Sequence, residues 1–309
     1  MSGRRRAGWL IAALAALALV GPWLAPPAGP PSLAQSAAEL LAPATRIEEM
    51  ALAGGGFLRA LEIRADGDVV RLRGPRGWRE LPGVRMAGPV RARRAWLGTD
   101  RQGRDVLART VAGARTSLVV ALLATLIAGL CGTGVGLVRA LGGTAADAGA
   151  GLVANGALAV PRLLAVLALG TALRGSLWGV ALTIGVTSWM GLSRLVRDGA
   201  HAFLGSPAAE AVRAVGGARR DLVLRHLPPA LSGVLAAGLP LAFSEAVILE
   251  ATLSFLGIGA GTSRDSWGAL IADAQRLLPA AWWMAAAPGL LLCLAAYAAH
   301  RIAAENSAR

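Results

Sequence analysis

The stretch EAVRAVGGARRDLVLRHLPPAL, Glu210–Leu231, is dense in arginine, although it stands between long apolar runs in a chain of 309 residues that is 55% hydrophobic. Ser206-Pro207, just before it, supplies an N-cap and a first-turn proline, and Glu210 places an acid where the helix dipole favours negative charge. A helix is therefore predicted to begin here. Gly216-Gly217 is predicted to end it, because glycine takes the left-handed conformation at a helix end at little steric cost.

A second short helix is predicted from Ala218 to about Leu227, where Pro228-Pro229 would break it. The first helix would carry one apolar stripe with two charged residues pointing the other way. The stripe is Ala208, Ala211, Val212 and Val215, and the charged residues are Glu210 and Arg213. Residues 206–229, called the elbow below, would form a bent pair of amphipathic helices. Such a surface docks into a groove on a soluble partner or lies on anionic lipid, and physics alone favours neither.

The bulk composition indicates a polytopic membrane protein, since a mean hydropathy of +0.56 with 16% charged residues does not fit a soluble globule. Much of the net charge of +13 lies beside apolar spans, which favours contact with lipid over nucleic acid. All 31 basic residues are arginine, so a lysine-containing phosphate loop is excluded and another chain would have to bind any nucleotide. Cys131 and Cys293 fall inside apolar runs and offer neither a metal site nor a disulfide framework.

Six apolar stretches approach the length of about 20 residues that a membrane-spanning helix needs. They are Trp9–Ala25, Ser117–Val138, Gly151–Leu173, Leu177–Leu195, Leu231–Ile258 and Ala281–Ala299. The first could instead be a cleaved secretory signal, but its apolar run is longer than the usual signal core and favours a retained helix. The predicted fold class is an all-α polytopic membrane protein with six transmembrane helices.

Arginines in the short loops predict the orientation. With Arg4–Arg6 in the cytoplasm, six crossings also place the loop at about 198–230 and the C-terminus inside. Segment 26–96 is then external, because long loops escape this rule. The predicted parts are 1–25, the N-terminal tail and first helix; 26–96, an exported linker and small insert; and 97–309, the main transmembrane domain with five helices.

Within the external segment, Gly56–Gly74 alternates apolar and polar residues around Asp66-Gly67-Asp68, which is a hairpin signal. A small β insert is predicted there, and a disordered loop is the alternative.

The segment LGTDRQGRDVLARTVAGARTSL, residues 97–118, shows a capping box followed by two i,i+4 ion pairs. The box is Thr99 with Gln102, and the pairs are Asp100–Arg104 and Asp105–Arg109. A polar helix leading into the second span is predicted. On spacing alone, it would be an interfacial helix that anchors that span.

The elbow resembles the EAA loop of bacterial ABC importer permeases. Glu210-Ala211, Gly216, Arg225-His226 and Pro229 stand at the positions of that motif, while Val212 replaces its usual alanine. Residues 97–118 look like the signature before the second helix of C-type subunits in the dipeptide, oligopeptide and nickel importers. The signature positions are Gly98, Thr99, Asp100, Gly103, Arg104 and Asp105. Two further segments, EATLSFLGIGAGTSRDSWGALIADA (Glu250–Ala274) and WWMAAAPGL (Trp282–Leu290), are similar to the same family, so the resemblance covers about residues 97–295.

The resemblance implies a type I ABC importer fold and a non-enzymatic permease subunit of a bacterial inner membrane. The family's partners are a second, B-type permease, two ATP-binding subunits and an external substrate-binding protein; membrane lipid surrounds the spans and no nucleic acid is involved. ATP would be bound by the partner subunits, and no cofactor or metal is expected in this chain. In the elbow, Gly216 would allow the bend, Glu210 would contact the ATPase or stabilise the helix start, and the basic cluster 219–226 would hold register. Arg213 belongs to the same ATPase-coupling loop.

Glu245 and Glu250 lie in the fifth span, where an ionisable group is costly unless it faces protein or water. They are five residues apart, about 140° around a helix, so they are not expected to share one site. Either could line the translocation path, and a buried structural acid is the alternative.

A membrane-embedded enzyme or a proton-coupled carrier is the competing function. No HExxH or GxSxG pattern and no repeated halves support it. The solute, whether dipeptide, oligopeptide, nickel or another, stays open.

Overall fold

The computed structural model describes residues 37–52, 57–66, 69–82, 88–173, 176–259 and 265–307, together with residues 13 and 16. The chain divides into two units. One comprises Met1–Ala15, Thr116–Arg264 and Leu292–Arg309, and the other comprises Ala16–Arg115 and Asp265–Leu291. The first is helical where described, and the second contains all the described strands.

Six strands form two small antiparallel sheets, ordered β2-β1-β6 and β3-β4-β5. They are β1 Thr45–Ala51, β2 Phe57–Ala60, β3 Glu62–Asp66, β4 Val69–Gly74, β5 Gly77–Pro82 and β6 Arg91–Ala95. Asp66 lies opposite Val69, so β3 and β4 pair as the predicted hairpin requires. The core of this region consists of apolar side chains at alternate strand positions, as period-2 strands dictate. It includes Met50, Leu58, Ile63, Val70 and Leu72.

The helices are α1 Val106–Leu141, α2 Gly143–Ala159, α3 Arg162–Ala172, α4 Leu177–Val186, α5 Trp189–Leu204, α6 Pro207–Ala214, α7 Arg219–Asp221, α8 Leu227–Phe255, α9 Trp267–Gln275, α10 Leu278–Ala281 and α11 Trp283–Ser307. A π turn, Leu222–His226, joins α7 to α8.

The predicted capping box is wrong, because α1 begins seven residues after Thr99. Gly98 and Gly103 both have φ of +70°, a left-handed conformation that interrupts any helix through 98–103. Asp105 caps α1 instead, accepting a hydrogen bond from the Ala108 amide at 3.0 Å. From Val106 onward, the predicted polar helix and second span form one uninterrupted helix of 36 residues.

The predicted third and fourth spans are each divided into two helices. Between α2 and α3 the axis bends by 88°, and between α4 and α5 by 44°. Pro161 causes the first bend, since it lacks an amide hydrogen and holds Val160 in an extended conformation (φ −78°, ψ 128°). The predicted third span, residues 151–173, is therefore not one continuous helix.

Three helices are long and apolar enough to cross a membrane among the residues that the structure describes. They are α1, the continuous stretch Arg219–Phe255, and α11; the number rises to five if each bent pair forms one span. The predicted first span, residues 9–25, lies outside the described residues except for positions 13 and 16. Six spans remain a prediction.

In the helical unit, α5 packs along α8. Val196 and Ala200 of α5 are buried with Leu227 and Leu231 of α8. Small residues permit this close approach: a Cβ on Gly238 would lie 2.8 Å from a methyl carbon of Leu192. The pair holds the two ends of the elbow, which connects α5 to α8.

Candidate functional site

The first half of the elbow is α6, and its N-terminus forms as the sequence predicts. The Ser206 hydroxyl oxygen accepts a hydrogen bond from the Ala209 amide at 3.3 Å, and Glu210 lies exposed in the first turn. Only Ala209 is buried, whereas Ala211 is exposed and the Val215 side chain is 86% exposed. Three of the four stripe residues, Ala208, Ala211 and Val215, are therefore exposed within the described chain, as a docking surface requires.

The bend after α6 has the hydrogen bonds of a Schellman motif. Gly216 has φ of +78°, and its amide donates to the Arg213 carbonyl at 3.0 Å, while the Gly217 amide donates to the Val212 carbonyl at 2.9 Å. Gly217 is the more crowded of the two, because a Cβ there would lie 2.7 Å from the Val212 carbonyl oxygen. The EAA-like motif includes Gly216 but not Gly217, so it gives no sign that a side chain at Gly217 would clash.

The second half of the elbow differs from the prediction, because Pro228-Pro229 does not break the helix. The chain runs from α7 through the π turn directly into α8. The Leu227 amide donates to the Leu222 carbonyl five residues back. This wider turn accommodates the proline rings, which would clash with the carbonyls of a regular preceding turn.

One face of the second half is anchored and the other is exposed. Leu222 and Leu227 are buried, and Arg219 donates through Nη2 to the Leu141 carbonyl at 2.9 Å. Arg225, His226 and Pro229 are exposed. The elbow thus presents apolar and basic groups outward, and a displacement of it acts on α8 with no loop in between.

The signature residues before the second helix surround a buried guanidinium, Arg109, which is 4% exposed. Its Nη1 lies 2.8 Å from Asp100 Oδ2, and its Nη2 lies 2.7 Å from Asp265 Oδ1 and 2.9 Å from Asp273 Oδ2. Arg104 Nε contacts Asp100 Oδ2 at 2.7 Å, so the predicted Asp100–Arg104 contact forms, but in the loop before α1 and not on a helix. These five side chains are called the Arg109 cluster below.

The predicted Asp105–Arg109 pair is wrong. Asp105 caps α1 and pairs with Arg93 of β6, which also lies 3.3 Å from Glu49 of β1. Arg109 instead reaches residues that are 156 and 164 positions away in sequence. The sequence signal that could have suggested this was the presence of two acids in the segment RDSWGALIADA.

Gly98 and Thr99 build a closed loop. The Thr99 hydroxyl accepts a hydrogen bond from the Leu41 amide at 2.8 Å and donates to the Ala38 carbonyl. A Cβ on Gly98 would lie 2.3 Å from the Leu41 carbonyl oxygen, so no side chain fits there. The role of these two signature residues is therefore structural, because they hold residues 38–41 against the loop that precedes α1.

The WG segment contacts the beginning of α1. Trp267 is fully buried, and its Nε1 donates to the Thr110 carbonyl at 3.1 Å. Gly113 allows this approach, since a Cβ there would lie 3.1 Å from the Ser266 backbone. The two family-like segments at 97–118 and 265–274 therefore form one structure.

The two acids of the fifth span are not brought together. Glu250 is fully buried, and its Oε1 accepts a hydrogen bond from the Ser254 hydroxyl at 2.6 Å. The Glu245 side chain is 57% exposed, and its Oε2 lies 2.7 Å from Nη1 of Arg162. Within the described ranges, no group of three or more His, Cys, Asp or Glu residues could hold a metal ion.

Residues 132–306 match the protein family described as "Binding-protein-dependent transport system inner membrane component". A putative peptide permease protein of Brucella suis biovar 1 is 34% identical over 66% of this chain and 68% of its own length. The oligopeptide transport system permease protein of Haemophilus influenzae is 30% identical over 67% of each chain. A probable D,D-dipeptide transport system permease protein of Escherichia coli is 31% identical over 65% of this chain and 67% of its own length.

A solved structure of the MetNI methionine ABC transporter, in an inward-facing conformation, superposes with a TM-score of 0.51. It is 18% identical and covers 64% of this chain and 96% of the matched chain. This likeness shows a fold of the type I ABC importer kind. With more than half of the sequence matched by the family, the chain belongs to the binding-protein-dependent transport system inner membrane components.

Proposed function

We propose that this permease subunit forms the translocation path of an ATP-driven importer together with a second, B-type permease. Two ATP-binding subunits would dock on the elbow, and an external binding protein would deliver the solute. The observation that carries the proposal is the continuity of the elbow with α8 through the π turn. ATP would bind to the partner subunits, because the chain has no lysine for a phosphate loop.

In the proposed mechanism, the exposed apolar stripe and the basic face of the elbow sit in a cleft of the ATPase. Closure of the nucleotide dimer shifts the elbow, and the shift moves α8 because the two share one helical backbone. ATP binding then favours one of the inward-open and outward-open populations over the other. Glu210 contributes a charged contact or stabilises the start of α6, Gly216 permits the bend, and Arg225 and His226 hold register.

The proposed location is a bacterial inner membrane, with the elbow and both termini in the cytoplasm. The strands within residues 45–95 would then belong to an exported insert. The arginine distribution of the short loops supports this orientation, and lipid would cover the apolar surfaces of the spans.

Peptides are the proposed solute class. The matched proteins of Brucella, Haemophilus and Escherichia are named as peptide, oligopeptide and D,D-dipeptide permeases. Final selection among peptides would rest with the binding protein.

Site-specific crosslinking tests the docking. Cys131 and Cys293 are first replaced by alanine, and Val215→Cys is introduced in the elbow. Leu152→Cys in α2 is the matched control, since Leu152 is an exposed apolar residue (75% exposed) away from the elbow. With cysteines introduced around the cleft of the co-expressed ATPase, a short bis-maleimide should link Val215→Cys to the ATPase and leave Leu152→Cys unlinked.

ATP-dependent peptide uptake by the purified complex in proteoliposomes tests the function itself. Failure to capture an ATPase at Val215→Cys, together with absence of uptake, would refute the proposal. Uptake that follows a proton gradient without ATP would support a secondary carrier instead.

Glu250→Gln should leave peptide uptake within about threefold of the original level, because a group with no exposed surface makes no contact with a passing solute. The glutamine retains an acceptor for the Ser254 hydroxyl. Initial uptake rates of acidic, neutral and basic dipeptides measure the effect. A change in rate that depends on the charge of the peptide would place Glu250 in the path.

A further inference from the structure

Two helix breaks in the helical unit are joined by one arginine. Arg162 is the first residue of α3, immediately after the 88° bend at Pro161, and its Nη2 donates to the hydroxyl of Ser188, which lies at the 44° break between α4 and α5. Its Nη1 pairs with Glu245 of α8 at 2.7 Å. Interrupted helices within apolar spans occur where protein or water covers the backbone. The three side chains of Arg162, Ser188 and Glu245 are called the break site below.

Glu245 of the break site lies far from the end of the apolar helix α8. Glu245 is ten residues before the end of α8 at Phe255, which is about 15 Å along the helix axis. The Glu245 side chain is 57% exposed and that of Arg162 is 30% exposed, while Leu241 and Ile248 are also exposed beside Glu245. Charged groups at such a depth face protein or an aqueous cavity rather than lipid. In the assembled importer, this face of α8 therefore meets either the partner permease or the path.

The site has unused binding capacity. The Nε–H group of Arg162 is buried and has no acceptor within the residues that the structure describes. Arg162 also stands at the N-terminus of α3, where the helix dipole adds to the positive potential. Arg162 can thus bind an incoming carboxylate in place of Glu245, and the exposed part of Glu245 can receive an ammonium group.

We infer that the break site binds the two charged ends of a zwitterionic peptide during transport. The peptide carboxylate takes the place of Glu245 at Arg162, and the peptide ammonium pairs with Glu245. This inference rests on the proposed importer function and assigns a solute contact to Arg162 and Ser188. It also gives Glu245 a role in binding the solute that the fully buried Glu250 does not share.

Charge balance supports a zwitterion over a simple ion. One ion pair becomes two when a solute carries one charge of each sign, so no charge is left uncompensated. A solute with a single charge would leave either Arg162 or Glu245 without an opposite charge, which is less favourable than two complete ion pairs. The termini of an extended dipeptide lie roughly 7 Å apart, so the paired groups would separate by a few ångströms, a movement within reach of the long arginine side chain.

Protection from chemical labelling tests the inference in the complete importer with its partner permease and ATPases. Leu241→Cys, one helical turn before Glu245, is the reporter in the Cys131→Ala/Cys293→Ala background, and both charges of the break site remain. The labelling reagent is a positively charged methanethiosulfonate, and the added solutes are dialanine and N-acetyl-dialanine amide. We expect labelling of Leu241→Cys that dialanine slows about tenfold and the doubly capped peptide does not slow.

Two variants in the reporter background complete the design. Arg162→Gln/Glu245→Gln removes both charges without leaving one unpaired, and it should abolish protection by dialanine while the complex still co-purifies and hydrolyses ATP. Glu245→Asp keeps a carboxylate on a shorter side chain and should keep protection by dialanine. Loss of protection in the double variant would then result from its missing charges and not from the changed size of the side chains.

Three results would overturn the inference. They are absence of labelling at Leu241→Cys in the assembled importer, equal protection by the capped peptide, and protection that persists without the two charges. Absence of labelling would identify the break site as a contact with the partner permease. Uptake by the background importer is measured separately; its absence would count against the proposed function, while the labelling experiment would still decide the role of the break site.

Discussion

Replacing Arg109 with methionine is expected to lower the stability of the permease by about 3 kcal/mol, because the largely buried Asp100 and Asp265 would lose a shared cation, while Asp273 is half exposed and Asp100 keeps Arg104. Methionine retains an apolar side chain of similar length, so the change removes charge and hydrogen bonds more than packing. The three acids come from the loop before α1 and from the segment at 265–273. Repulsion between these carboxylates should separate the loop before α1 from the segment at 265–273. The apparent Tm of the purified protein in detergent measures the effect.

Arg115→Met is the matched control for this prediction. Arg115 lies on the same helix six residues later, is exposed, and has no ion pair among the residues that the structure describes. Its replacement should change the apparent Tm little. Arg109→Lys should fall between the two, because one ammonium group cannot match a planar fork that contacts three carboxylates. Equal Tm values for Arg109→Met and Arg115→Met would contradict the structural importance of the Arg109 cluster.

Gly216→Val should uncouple ATP hydrolysis from peptide uptake. At φ of +78° a β-branched residue is strained by about 1–3 kcal/mol, so the bend after α6 would open or distort. A Cβ at this position would meet no atom within 4 Å, which means that the strain acts on the backbone and not through a clash. We expect uptake in proteoliposomes to fall about tenfold or more while the complex still hydrolyses ATP.

Gly143→Val is the control for the bend. Gly143 has φ of +81° and also has nothing within 4 Å of its Cβ position, but it is the first residue of α2 and lies outside the elbow. The same backbone strain there should reduce stability without uncoupling. If both variants uncouple ATP hydrolysis from peptide uptake, backbone strain alone is sufficient for uncoupling and the elbow has no specific role in it. If Gly216→Val transports normally, the bend is not needed for coupling.

Features set by neighbouring residues could be predicted from the sequence. The cap at Ser206, the glycine bend at Gly216 and the pairing of Asp66 with Val69 each depend on residues within a few positions of one another. The same local reasoning failed where a nearby feature changed the helix boundary. The helix after Thr99 does not begin until Val106, so Thr99 does not cap it, and Asp105 caps it and does not pair with Arg109.

Contacts between distant segments could not be predicted in this way. Arg109 with Asp265, and Arg162 with Glu245, join positions 156 and 83 residues apart, and no periodicity links them. The wrong prediction at Pro228-Pro229 has another cause: a π turn, which has no clear sequence signal, changes the geometry that the prolines meet. Family membership identifies the chain as a transport component and not an enzyme, as the sequence motifs predict.

The Arg109 cluster has a consequence for biosynthesis. Asp265 is translated 156 residues after Arg109, which corresponds to roughly 8–30 s at ordinary elongation rates of about 5–20 residues per second. During that interval the nascent chain carries a guanidinium whose later partners have not yet left the ribosome. Premature termination before codon 265 would leave Arg109 permanently without Asp265 and Asp273. Membrane proteases should therefore degrade such truncated products readily.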